Sequence, residues 1–576
     1  MSVMKISRNL FAVLLLCWTV PLLKAQPDAG TLLREQQSQK ERKPPKPLPD
    51  PVEPTASLTP SVTAGPTIVV KEFRFRGYEG LASEQELQKV VKDSIGMSLG
   101  VAELQRVAER ITAELRVKGH FLARAYLPKQ DVTGGVVEIA VIQARSDGGV
   151  VFNRAVEVRL RPEKLQKMVD AVIKADQPLR EDELERVLLL VNDLPGISAR
   201  AVLEPGTLPG TTRITANVTE ADMLSGAMWV DNSGNRYTGS WRGNGLVSVS
   251  DPFRIGDEAN VMFSGSDGLL QGRIFYATPI GSRGLRADVS YSDMQYKIVE
   301  GAPLFDAKGS AQTVGTGASY PLIRRRTFRL TANAGYEFAA LVDKAFSLTI
   351  RDKQVHTGTA GVTGDHSDNF AGGGFLTFSA AVSGGYLDLS KVSADEAADK
   401  SGPRSAGSFG RFTLAVSRTQ HVTDQLTFTA SYLGQYASQN LDSSQKFSLG
   451  GPNGVRAYPV GEATGDEGHL FNFECRQVVP VGLKKGSVHA IGFLDTGHIT
   501  LNKTPWAGSV TSATGENSYW LSGVGLGLEV IKPDRYTIRA TYAHKLGSNP
   551  GRSANGMDAD GRDTAGRIWA MVQLTF

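Results

Sequence analysis

The sequence predicts a transmembrane β-barrel of about sixteen antiparallel strands, preceded by two small α+β domains. Three observations predict it. From about residue 221 helical periodicity stops, and short alternating segments separated by Gly, Asp, Asn and Ser take over. The chain ends on Phe576, with Ile568, Ala570, Val572 and Leu574 before it at period two. Ahead of the alternating region, a β-α-α-β-β order occurs twice.

Composition narrows the class. The 576 residues are too many for one ordinary domain. Glycine is abundant at 62, cysteine is scarce at 2, and the net charge is only +4. No internal run reaches the roughly 18 uninterrupted apolar residues of a membrane helix. Basic residues are dispersed, which argues against a nucleic-acid partner. Two cysteines cannot make a disulfide framework.

Residues 1–25 read as a secretory signal: Lys5 and Arg8, then the apolar run Leu10–Val20, then Ala25 as a cleavage residue. Cys17 falls inside it, which leaves Cys475 alone in the mature chain. Residues 26–43 favour a short polar helix, with little apolar content beyond Leu32 and Leu33. Over 29–43 such a helix is roughly 20 Å long. Residues 44–66 are Pro-rich and predict an extended tether.

Residues 67–145 predict the first α+β unit. Thr67–Arg76 alternates as a strand, with Val69, Phe73 and Phe75 as core candidates. Ser83 with Glu86 forms a capping-box pattern at a helix start. Leu104, Val107, Ile111 and Leu115 recur at helical spacing, and strands at Phe121–Leu127 and Val136–Ile142 close the unit. Residues 146–220 repeat the plan. A strand region Val150–Leu160 leads to helices Pro162–Ala175 and Arg180–Leu194, then strands Ser198–Leu203 and Thr212–Thr219. An exposed sheet edge in either unit could add an extended client strand by backbone pairing.

Residues 221–576 predict the barrel. Segments such as Leu270–Ala277, Leu285–Ser292, Phe328–Tyr336, Arg411–Arg418, Leu426–Tyr432, Leu521–Val530 and Tyr536–Ala543 turn apolar residues outward and small or polar ones inward. In lipid such strands must close, because an open edge leaves backbone groups unpaired. Two stretches stand apart. Gly450–Gly468 is a Gly/Pro-rich loop with a compact cluster, Gly454, Val455, Arg456, Ala457 and Tyr458, within an expected re-entrant loop 436–466. Ile491–His498 is a strand with Phe493, Asp495 and Gly497 at period two. A cation on a buried loop tip and a lone acid on an apolar strand each need a partner, since an unpaired buried charge costs several kcal/mol. Arg456 and Asp495 are therefore expected to meet inside the barrel.

These residues carry a resemblance. Val455-Arg456-Ala457-Tyr458 followed by Phe493, Asp495 and Gly497 resembles the TpsB transporters of two-partner secretion, the ShlB/FhaC/HecB family of the BamA-like superfamily. Lys118–Pro128 is similar to the second strand of a POTRA domain. The resemblance implies two POTRA domains, a plug-like N-terminal helix and a re-entrant loop whose arginine pairs with the strand aspartate. It implies translocation of a large unfolded exoprotein, of haemolysin or adhesin type, from the periplasm of a Gram-negative bacterium to its surface. The partners it implies are that TpsA-like exoprotein, outer-membrane lipid, and an assembly machinery that reads the C-terminal strand. Ala457 departs from the commoner glycine and puts the loop-tip backbone in question, because alanine disfavours positive φ.

The competing reading is an outer-membrane assembly factor, an insertase of the same superfamily. Its usual larger number of POTRA domains and lack of a plug helix count against it here. A diffusion porin or a surface enzyme on a barrel leaves the tandem domains unexplained. No HExxH, CxxC pair or P-loop occurs, so no catalytic residue, metal or cofactor is expected. His498 near Asp495 is a nominal pair. The acid clusters Asp365–Asp368 and Asp558, Asp560 and Asp563 are expected on solvated extracellular loops.

Overall fold

A computed structural model describes residues 26–38, 67–120, 122–143, 145–155, 158–173, 180–205, 211–301 and 306–576. The expected signal 1–25, the end of the expected helix (39–43) and the Pro-rich stretch 44–66 lie outside the described residues. Helix α1 covers Ala29–Ser38.

The first α+β unit contains β1 (Ile68–Val69), β2 (Glu72–Arg76), α2 (Glu84–Val91), β3 (Ser98–Leu99), α3 (Val101–Val117), β4 (Ala123–Tyr126) and β5 (Val136–Gln143). Central β5 runs parallel to β2 and antiparallel to β4. The Ser83–Glu86 capping box opens α2, satisfying two end N–H groups reciprocally. Leu104, Val107, Ile111 and Leu115 are buried against Phe73, Val137 and Ile139. One core expectation fails. Val69 is 56% exposed, and Val70 is buried instead. The reason is a break in the expected single strand. Ile68–Val69 pairs with an unanticipated β3, and the chain changes phase before β2 begins.

The second unit holds β6 (Arg145–Arg154), α4 (Pro162–Asp170), α5 (Glu181–Asn192), β7 (Ile197–Pro205) and β8 (Thr211–Glu220). Central β8 is parallel to β6 and antiparallel to β7, the same topology as the first unit. The expected strand region reached Leu160, but β6 stops at Arg154. Beyond it Val158 and Leu160 are buried in the core, and Arg154 holds their carbonyls at 2.6 and 2.8 Å.

The barrel is closed and antiparallel, with sixteen strands. These are β9 (Leu224–Asp231), β10 (Arg242–Ser250), β11 (Glu258–Gly265), β12 (Leu269–Ile280), β13 (Leu285–Lys297), β14 (Lys308–Arg324), β15 (Phe328–Ala345) and β16 (Leu348–Asp368). They continue as β17 (Gly374–Asp388), β18 (Gly407–His421), β19 (Leu426–Ala437), β22 (Glu467–Val479), β23 (Ser487–Thr500), β24 (Ser518–Lys532), β25 (Tyr536–Leu546) and β26 (Gly566–Thr575). Between β19 and β22 a loop, 438–466, carries the small ribbon β20 (Phe447–Ser448) and β21 (Thr464–Gly465).

β26 pairs with β9 from Met571–Asp231 to Thr575–Ala227. Phe576 extends the seam through backbone bonds of 2.9 and 3.0 Å to Gly226. At the other end the Asn232 amide imitates a strand residue, donating to the Ile568 carbonyl at 2.9 Å and accepting from the Ala570 N–H at 2.8 Å. Ile568, Val572, Leu574 and Phe576 face outward and are exposed.

The two acid clusters depart from expectation in different ways. Asp365 and Asp368 end β16 at the periplasmic rim, paired with Arg329 and Arg418. Asp558 and Asp560 do lie on an extracellular loop, but they are buried and paired with Lys545 and Arg567, while Asp563 is exposed. Loop polarity in the sequence did not reveal that these acids have cationic partners on neighbouring strands.

Candidate functional site: a loop tip pinned in the lumen

Loop 438–466 folds back between the strands. Its tip is a stack of turns, with bonds from Val455 N–H to the Leu449 carbonyl (2.7 Å), Tyr458 N–H to Val455 (3.0 Å) and Gly451 N–H to Tyr458 (3.1 Å). Gly454 has no alternative, since a Cβ there would lie 1.9 Å from the Leu449 oxygen. Ala457 takes no positive φ, so the doubt over its backbone is removed. Its methyl fills the space over Gly523 of β24, where a second Cβ would sit 2.5 Å away. Val455, Ala457 and Tyr458 are fully buried with Phe447, Leu449 and Leu521.

Arg456 and Asp495 meet. The guanidinium donates through Nε to Asp495 Oδ2 and through Nη2 to Oδ1, both at 2.8 Å, and the Arg456 backbone N–H adds a bond at 3.1 Å. This bidentate geometry fixes the tip's direction as well as its position. Phe493 lies under the guanidinium, 3.5 Å from ring centroid to Cζ, a cation–π contact in a dry setting. Gly497 lets Leu449 pack on β23, since a Cβ would meet its methyl at 2.5 Å. Each residue of the Phe493-Asp495-Gly497 motif therefore touches the loop.

Three contributors were not foreseen. Glu474 on β22 accepts from Arg456 Nη1 at 2.6 Å. Asn472 donates to Asp495 at 2.8 Å and to the Gly454 carbonyl at 3.0 Å. Trp569 on β26 donates from Nε1 to the Arg456 carbonyl at 2.7 Å. Beyond them Glu474 also pairs with Arg476 and Arg539, and both of those arginines reach Glu529. Three acids face three arginines, so the cluster is neutral.

A sequence signal for Asn472, Glu474 and Arg476 exists in the alternation of FNFECR, whose polar residues share the lumen face. Cys475, between them, points to the lipid and is exposed and free. His498 does not pair with Asp495. Three residues along a strand put them on opposite faces, and His498 stacks outside against His469 and Trp520.

Helix α1 also lies in the lumen. Asp28 caps it, accepting from the Thr31 N–H at 2.8 Å, and ion-pairs with Lys353 at 3.5 Å. The Ala29 N–H donates to Asp343 at 2.8 Å, and Gln37 donates to Glu337 at 3.2 Å. Ala29, Leu32 and Leu33 are buried against lumen-facing Met294, Tyr296 and Leu341. The re-entrant loop touches the helix directly: Arg34 donates to the Lys446 carbonyl at 2.9 Å, and a Cβ on Gly30 would meet Ser443 Oγ at 2.4 Å.

Residues 210–530 match the family Haemolysin secretion/activation protein ShlB/FhaC/HecB, and residues 68–144 match the ShlB-type POTRA domain. The chain is 27% identical over 531 residues to the heme/hemopexin transporter protein HuxB of Haemophilus influenzae, covering 91% of this chain and 92% of that one. It is 24% identical over 496 residues to the outer membrane transporter CdiB of Escherichia coli, with 83% and 82% covered. In fold it is similar to the solved CdiB of Escherichia coli, with a TM-score of 0.71 at 20% identity over 90% of this chain and 93% of that one. CdiB of Acinetobacter baumannii gives 0.61 at 17% identity over 94% and 96%. The chain belongs to the ShlB/FhaC/HecB family, outer-membrane β-barrel transporters that secrete protein across the outer membrane of Gram-negative bacteria, with their POTRA domains in the periplasm.

Proposed function

We propose that this protein is the translocation pore of a two-partner secretion system. Its substrate is a large unfolded TpsA-like exoprotein of the haemolysin or adhesin class. The exoprotein docks on the POTRA edges, threads through the barrel and folds outside. One observation carries this reading: the lumen is filled by two segments that are not part of the wall, a helix and a loop. Sixteen strands enclose a space wide enough for an aqueous channel. Here α1 and the re-entrant loop occupy that space through both polar contacts and buried apolar ones. The helix acts as a resting plug, and the Arg456–Asp495 pair sets the loop against the wall.

Comparative proteomics of a deletion strain and its parent tests the proposal. The expected result is loss of one large protein from the supernatant with an otherwise unchanged outer membrane. Broad depletion of barrel proteins from the membrane would refute the secretion pore and favour the insertase. Within the site, Arg456→Ala leaves Asp495 buried without its bidentate partner, a penalty of about 3–5 kcal/mol. Secretion should fall sharply while the barrel still inserts. Normal secretion by that variant would remove the pair from the mechanism.

A further inference from the structure

Lys297, Lys308 and Lys344 end or begin three adjacent strands, and they are direct register partners: Lys297 opposite Lys308, and Lys308 opposite Lys344. All three point away from the lumen, since their neighbours Tyr296, Ala307, Asp343 and Ala345 are the buried ones. The row lies at the end of β13–β15 away from the second POTRA domain, so it is on the extracellular rim. Like charges placed directly opposite one another on a sheet are destabilising. Among the described residues the row's one ion pair is Lys308 with the exposed Asp306, at 2.7 Å. Three neighbouring cations thus face outward against a single acid.

The wall below locates this row relative to the membrane. Tyr291, Val314, Phe338, His356 and Tyr386 are partners in register across five strands. Tyr291, Val314 and Tyr386 in this row are 45–53% exposed. Such an outward aromatic row marks the membrane–water boundary of a barrel. Each lysine lies six residues above it on its own strand, about 20 Å along the strand and about 15 Å in height at a ~40° tilt. Between the rows Asp293 is held by Gln295 and Gln312 at 3.3 and 3.0 Å. A phospholipid head-group layer adds only about 5–8 Å to each side of the hydrocarbon. The row is therefore too high for a small phospholipid head group. It is within reach of a large phosphorylated saccharide head group standing beside the wall.

We infer that Lys297, Lys308 and Lys344 form a binding site for the phosphate-bearing head group of an outer-leaflet glycolipid, which holds this side of the barrel in its membrane. The site is on the lipid side of the wall and takes no part in the loop or helix contacts.

The test uses the full chain purified in detergent. Wild type and the triple variant Lys297→Gln/Lys308→Gln/Lys344→Gln are titrated with lipopolysaccharide, dephosphorylated lipopolysaccharide, phosphatidylglycerol and inorganic phosphate. Binding is read by the shift of thermal midpoint. Wild type should bind lipopolysaccharide about a hundredfold more tightly than the triple variant does, the ratio that about 3 kcal/mol over three lysines gives. It should also prefer lipopolysaccharide to the dephosphorylated form, and the Lys→Arg triple should retain binding. Heat-dependent gel migration shows that each variant is folded. Equal binding by the Gln triple, equal binding of the dephosphorylated lipid, or equal binding of phosphatidylglycerol would overturn the inference. Saturation by inorganic phosphate alone would reassign the row to a free anion and overturn it as well.

Discussion

The Tyr458 ring is fully buried beside Lys545, whose Nζ lies 5.2 Å from the ring centroid, yet its hydroxyl finds no hydrogen bond among the described residues. An unsatisfied buried hydroxyl costs about 1–3 kcal/mol. Tyr458→Phe should therefore match or slightly exceed wild type in unfolding midpoint and secrete normally, whereas Tyr458→Ala should lose about 3–5 kcal/mol through the cavity. Glu462, at the foot of the same loop, accepts from Asn549 at 3.0 Å and from the Ala559 N–H at 2.7 Å. Burial, reinforced by Asp558 and opposed by those two bonds and Lys545, pushes its carboxyl from 4.5 up to about 7. Between those values the docked loop keeps a proton that the undocked loop has lost. Docking is thus strongest at low pH and weakens as pH rises through 7. Limited proteolysis of loop 547–565 should run faster at pH 8 than at pH 6, and Glu462→Gln should flatten the difference. Arg456 and Asp495 were readable because each is a charge in an apolar or glycine-rich context that demands a partner. Glu474 and Trp569 were hidden by alternation, which gives every strand a polar face and cannot say which polar residue meets a loop folding in from elsewhere.

α1 is short, polar and held by ends and edges. Asp28, Arg34 and Gln37 bind different elements, so no single wall strand anchors it. An isolated helix of this length is marginal in water, and its order here comes from the lumen. Removal of residues 29–38 should raise single-channel conductance in planar bilayers and sensitivity to large antibiotics while leaving the barrel folded. Unchanged conductance would mean that the loop, not the helix, closes the path. The sequence shows this helix by composition, and the described part of it, Ala29–Ser38, is helical. The miss at Val69 has a physical origin. Local periodicity reports neither a change of phase nor a pairing with a distant two-residue strand.

The second POTRA domain is joined to the barrel by several turns at once. Arg324 clasps Asp193 with two bonds of 2.8 Å, the Arg326 N–H donates to Glu185 at 2.7 Å, and Lys164 reaches the Gly281 carbonyl at 2.7 Å. Leu190 packs where a side chain on Gly284 would otherwise sit. Such a joint sets the domain's direction relative to the pore. Asp193→Ala combined with Glu185→Ala should loosen it, seen as a wider inter-label distance distribution between POTRA and barrel, with secretion reduced and barrel stability unchanged. Architecture at this scale was open to sequence reading because closure in lipid, an even strand count and a repeated β-α-α-β-β order leave few arrangements. The POTRA–barrel joint was not, since it rests on turn residues with no periodic signature.

Cys475 stands on β22 between Glu474 and Arg476, turned outward while they turn in. Among the described residues it is the one thiol. The wall there is a single sheet thick, so an acyl-side fluorophore or nitroxide at this position is back to back with the Arg456 anchor. The protein thereby carries its own attachment point for a reporter that senses departure of the loop from outside the conduit, without a foreign group ever entering the path of the exported chain.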